Sequence, residues 1–110
     1  MSASQPVQIR KIIKIFKKGL IDIYGEGLDR VILYGSRARG DGRDDSDIDI
    51  LIVLNKDFKY SEMLRLSSDL AASLSLEHDV VISRAFASKA EFEERQTPFL
   101  MNIRREGVPV

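Results

Sequence analysis

Cysteine and tryptophan are absent from the 110 residues, histidine occurs once, and there are only three prolines. Without cysteine there are no disulfides, thiolate metal sites or cysteine nucleophiles, a composition that suits a reducing, cytoplasmic setting. A single histidine excludes any site that needs two. Long apolar runs are missing too: the stretch from Ile12 to Phe16 is short and broken by Lys14, which fits neither a signal peptide nor a membrane span. What is present is globular, with 44% hydrophobic and 31% charged residues. The expectation is one domain over residues 1–110, with 1–6 as a disordered lead-in and no membrane partner.

Seventeen Lys/Arg balance seventeen Asp/Glu, but the zero hides a segregation. Residues 1–40 carry eight basic and three acidic side chains, and residues 41–110 carry nine and fourteen. Asp41, Asp44, Asp45, Asp47 and Asp49 fall within nine positions. Like charge at that density is costly unless solvated or neutralised by a cation.

Apolar residues at Ile9, Ile12, Ile13, Phe16, Leu20 and Ile23 have helical spacing, with Arg10, Lys14, Lys17 and Lys18 on another face. That basic stripe reads as a solvated face rather than a nucleic-acid contact. Val31 to Tyr34 predicts a short buried strand, followed by a polar loop from Arg37 to Ser46. Asp47 to Leu54 is a second strand, Tyr60 to Leu74 a second amphipathic helix, and His78 to Ser83 a third strand. Ser88 to Glu91 has capping-box form, and Pro98 opens a further helix that ends before Gly107. The fold class is α/β (α+β by some conventions), a small mixed three-stranded sheet with flanking helices. An antiparallel first pair and a right-handed parallel crossover to the third strand bring Gly35-Ser36, Asp47, Asp49 and Asp79 to one end of the sheet.

Asp47 and Asp49, one residue apart on a strand, point to the same face about 6.5–7 Å apart at Cα. Two such carboxylates, with Asp79 from a neighbouring strand, make an oxygen-only set that selects Mg²⁺ or Mn²⁺ over zinc. Gly35-Ser36 at a strand end offers close backbone approach, free N–H groups and a hydroxyl, suited to phosphate oxygens. Arg37, Arg39 and Arg43 are candidates to clamp further phosphate charge. A Walker loop fails because Asp41 follows Gly40, and an EF-hand from Asp45 fails because Ile50 holds the glycine position. A dinucleotide fingerprint from Gly25 fails at Arg30. His78 reads as positional, and Tyr24, Tyr34 and Tyr60 as core or groove residues.

Gly35-Ser36, ten residues, then Asp47-x-Asp49 on an apolar strand resembles the signature of the polymerase-β-type nucleotidyltransferases. Within that group the chain is similar, from about Val7 to Val108, to the minimal nucleotidyltransferases (MNT), including antitoxins paired with HEPN ribonuclease toxins. The resemblance implies that Ser36 and Arg39 bind a triphosphate and that Gly35 permits their approach. It implies that Asp47 and Asp49 hold Mg²⁺, two ions by expectation, with Asp79 as third carboxylate and base. The activity implied is transfer of AMP from ATP to a hydroxyl, a tyrosine, of a HEPN toxin. Two alternatives stay open: a non-catalytic antitoxin acting by stoichiometric binding, and transfer to a small molecule such as an aminoglycoside.

Overall fold

The structure is a computed structural model that describes residues 7–41 and 46–110. Helix α1 (Val7–Tyr24) buries Ile9, Ile12, Ile13, Phe16 and Leu20, the stripe its spacing predicts. A 3₁₀ turn over Gly25–Gly27 reverses the chain into β1 (Leu28–Tyr34), longer at its start than the apolar residues alone suggest. A single short helix, α2 (Gly35–Arg39), follows at once and ends at Gly40, whose φ of 83° suits glycine as a helix stop. Strand β2 (Ile48–Leu54), helix α3 (Tyr60–His78) and strand β3 (Ile82–Ser88) form the parallel crossover unit.

β1 and β2 are antiparallel, with Tyr34 opposite Asp49 and Ile32 opposite Leu51. β2 and β3 are parallel, with Asp49 beside Ser83 and Leu51 beside Ala85. One face, carrying Val31, Leu33, Ile50, Ile52 and Phe86, packs on α1 and α3. The other, carrying Ile32, Leu51, Val53 and Ala87, packs on α4 (Lys89–Glu94) and α5 (Pro98–Glu106) through Phe92, Leu100 and Ile103. Ser88 and Glu91 form the expected capping box, and Pro98 takes the first-turn position behind the Thr97 cap.

Two expectations are corrected. The sheet has four strands, in the order β3-β2-β1-β4, because Val108–Pro109 (β4) pairs antiparallel with Leu33 and Ile32. Two residues are too short for any periodicity to announce. Pro109 is tolerated there because an edge strand needs no donor on its open side. The third strand starts at Ile82 rather than His78, since α3 runs through His78 and closes when Asp79 and Val80 both donate to Ser75 O. Among the described residues no helix is long and apolar enough to cross a membrane.

Candidate active site

β1 ends and β2 begins at the same end of the sheet, and that end gathers most of the expected residues. Tyr34 delivers the chain into α2, and Gly35 turns it with φ of 74°, a conformation that disfavours any side chain. A Cβ on Gly35 would collide with Asp49 Oδ2. The Asp49 carboxylate is therefore seated against the glycine, in a space that only the missing side chain leaves. Ser36 follows, half-buried, at the start of α2. Asp47 lies exposed just before β2, two residues from Asp49.

The electrostatics of this corner are unfavourable for a bare carboxylate. Burial, and next the Asp47 charge, push the Asp49 carboxyl up from its ordinary value, while the Arg39 guanidinium draws it down. Tyr34, beside Asp49, is pushed up to about 12 by burial first, then by Asp49 and Tyr60, so it stays a neutral hydroxyl at physiological pH. Two carboxylates that repel each other, one of them seated against Gly35, fit a hard divalent cation. Mg²⁺ is commonly held by one or two carboxylates together with substrate phosphates.

The three arginines of the loop separate. Arg37 is only 4% exposed and donates to Ser46 O at 3.0 Å, tying the two ends of the loop together. Arg39 is exposed, 3.4 Å from Asp41 Oδ2 and 3.7 Å from Glu106 Oε2. Arg43, with Asp44 and Asp45, lies outside the described residues, as do residues 1–6. Arg37 is thus a structural tie, whereas Arg39 reaches the surface.

Asp79 differs from its expected place. It is the exposed cap of α3, with φ of 53°, and it precedes β3 instead of lying on it. The β3 neighbour of Asp49 is Ser83, and the first bond joining β2 to this segment runs from Ile48 N to Val81 O. Among the described residues no group of three His, Cys, Asp or Glu is close enough to hold a metal ion. His78 is the last residue of α3; its Nε2 is buried without a hydrogen-bond partner, 4.0 Å from Glu77 Oε2.

Helix α5 adds residues that the sequence reading did not assign to the site. Phe99, Asn102 and Glu106 share one face of α5 and, with Tyr34, Gly35 and Arg39, line a cavity of about 180 Å³. Phe99 meets the Tyr34 ring edge-on, with centroids 5.5 Å apart. Their 3-4 spacing behind Pro98 was visible in the sequence, but nothing local connects α5 to β1.

Comparison with known proteins bears on the fold and the family. The polymerase beta nucleotidyltransferase family matches residues 10–108. A Methanocaldococcus jannaschii chain named "Putative protein adenylyltransferase" is 36% identical over 104 residues, covering 94% of this chain and all of its own length. A second chain of that organism and name is 39% identical over 98 residues, 88% of this chain and 92% of its own. Among solved structures, a mutant of the toxin–antitoxin MntA-HpeT aligns with a TM-score of 0.60 at 20% identity, over 96% of this chain and 72% of the other. A toxin–antitoxin structure with AMP-PNP aligns with a TM-score of 0.60 at 20% identity, over 91% and 69%. A chain described as "Structure of putative minimal nucleotidyltransferase" gives 0.57 at 22%, over 93% and 95%. Those structures share the fold, and the family match runs through both Gly35-Ser36 and Asp47-x-Asp49: the chain belongs to the polymerase-β-type nucleotidyltransferases.

Proposed function

We propose that this nucleotidyltransferase moves AMP from ATP to a hydroxyl, a tyrosine, of a HEPN-type toxin and so acts as its antitoxin. The observation that carries the reading is the seat of Asp49 against Gly35, which joins the carboxylate pair to the phosphate-binding turn. Relatives named as protein adenylyltransferases support the reaction, and a structural neighbour described as a toxin–antitoxin with AMP-PNP supports the partner class and the nucleotide.

In this reading Ser36, the backbone N–H groups at the start of α2 and Arg39 hold the triphosphate, and Arg39 exchanges Asp41 and Glu106 for phosphate oxygens. Asp47 and Asp49 hold Mg²⁺, whose charge, when bound, offsets the negative charge of the phosphates and of the acids themselves. The acceptor oxygen bonds to the α-phosphorus, the bond from that phosphorus to the bridging oxygen breaks, and pyrophosphate leaves. The proton of the hydroxyl leaves to water, because Asp79, the base the resemblance implies, stands at the cap of α3 and not with Asp47 and Asp49. The rest of catalysis is alignment.

Two measurements test this. Calorimetric titration of ATP should show binding with Mg²⁺ or Mn²⁺ and none in excess EDTA; equal affinity in both would refute the metal assignment. A trace of the protein with ATP and Mg²⁺ should modify a large excess of its HEPN partner, adding about 329 Da per adenylyl group to a hydroxyl side chain. Neutralisation that needs equimolar protein, ignores nucleotide and leaves the partner mass unchanged would establish stoichiometric binding instead.

A further inference from the structure

Helix α1 carries Arg10, Lys11, Lys14, Lys17 and Lys18 against one acid, Asp22. Elsewhere four arginines, Arg30, Arg39, Arg95 and Arg105, pair with carboxylates. Among the described residues, no ion pair involves any of the α1 cations, and only Lys17 is engaged, through Nζ to Val110 O. The arrangement works against the helix itself. Arg10 and Lys11 lie close to its positive N-terminal end, where the first turn holds no acid. Arg10 with Lys14, and Lys14 with Lys18, are like-charged neighbours four residues apart. A helix selected only for its stability would carry acids at some of these places.

The cations also surround a shaped surface. Arg10, Lys11, Lys14 and Lys17 border a groove of about 500 Å³ between α1 and β4, with Ile13 and Pro109 on its floor. Lys17 closes one end by holding Val110. Only a three-residue turn joins α1 to β1, so α1 runs back along the sheet and its first turn lies at the end where β1 meets Gly35.

We infer that this groove docks an acidic amphipathic segment of a partner protein, its carboxylates on the α1 cations and its apolar side chains on the floor. Acidic charge supplies the counter-ions that α1 lacks, and an apolar stripe matches the Ile13–Pro109 floor. Nucleic acid fits less well. No aromatic side chain lines the groove for stacking, and three of the four bordering cations are lysines, which lack the bidentate fork of arginine. The inference does not depend on nucleotidyl transfer, and its test contains no nucleotide.

The probe is a fluorescein-labelled synthetic helical peptide with Glu on one face and Leu on the other, read by anisotropy. Controls are the same peptide with Lys for Glu and a single-stranded oligonucleotide. The acidic peptide should bind and lose about tenfold in affinity between low and high salt. The double variant Arg10→Glu, Lys14→Glu should weaken it about tenfold or more, while its thermal midpoint stays level or rises, because Arg10→Glu puts an acid near the positive end of the helix and Lys14→Glu gives Lys18 an opposite charge four residues away. Lys18→Glu changes charge equally but lies outside the groove, and should alter affinity by less than about twofold. Absence of acidic-peptide binding at low salt, tighter binding of the oligonucleotide, or equal damage from Lys18→Glu and Lys14→Glu would each overturn the inference.

Discussion

Along β2, Ile50, Ile52 and Leu54 face the layer of α1 and α3, while Asp49, Leu51 and Val53 face the side of α4 and α5. The first face is sealed: every one of those three residues is buried, with long helices across it. On the second, Leu51 and Val53 are equally buried, but Asp49, one step along, is not. One strand with period-two alternation thus serves as core on one side and as core plus chemistry on the other. The difference lies in coverage. Short α4 and α5 leave the end beside Gly35 open, and a carboxylate is tolerable there because water or a cation can reach it.

The largest effect should come from the sealed face. Ile52→Ala should cost about 2–5 kcal/mol in urea unfolding, whereas Ser83→Ala, at the open end, should stay within about 0.5 kcal/mol. Similar costs for both would mean that the open end is packed as tightly as the core. Next is Gly35→Ala, which meets Asp49 and keeps a left-handed backbone; it should cost about 1–3 kcal/mol and abolish ATP binding. Gly27→Ala, with nothing within 4 Å of the added carbon, should fall within about 0.5 kcal/mol.

Arg37 and Arg39 sharpen the comparison within a single helix. Arg37→Met removes a buried donor from Ser46 O and should cost about 1–3 kcal/mol of stability. Arg39→Ala breaks only exposed pairs, so it should cost less than about 1 kcal/mol, yet weaken ATP in calorimetry about tenfold. Removing the capping hydroxyl with Ser88→Ala should cost about 1 kcal/mol, readable as a lower denaturant midpoint.

The smallest effect has the opposite sign. The Asp49 carboxyl has a raised pKa in the folded protein, so the folded state holds its proton at pH values where the unfolded chain has lost it. Its unfavourable contribution is absent below the unfolded value of about 3.8 and is complete once pH exceeds the raised folded value. Asp49→Asn should therefore slightly raise the thermal midpoint at neutral pH without Mg²⁺ and make no difference in strong acid. A lower midpoint at neutral pH would show that the carboxylate is stabilised by its neighbours instead.

Much of this was legible locally. The α1 stripe, the capping box at Ser88, the Pro98 helix start and the apolar β2 strand are set by spacing within a few residues. Asp79 misled because a histidine–aspartate pair before a valine run reads equally well as a strand start or a helix end. Two backbone bonds to Ser75 settle it as the latter. Nor does anything within RARG distinguish a buried arginine from an exposed one.

The sequence by itself determined the order of the longer helices and of the three longer strands, the apolar pattern that builds the core, and the signature that marks the family. Only the tertiary structure decided that Arg37 turns inward while Arg39 meets Glu106, that Asp49 rests on Gly35, and that Val108–Pro109 completes the sheet. The physical reason is range. Periodicity, caps and motif spacing are written in neighbouring residues, whereas burial and pairing depend on which distant segment arrives alongside, a contact that no local pattern encodes.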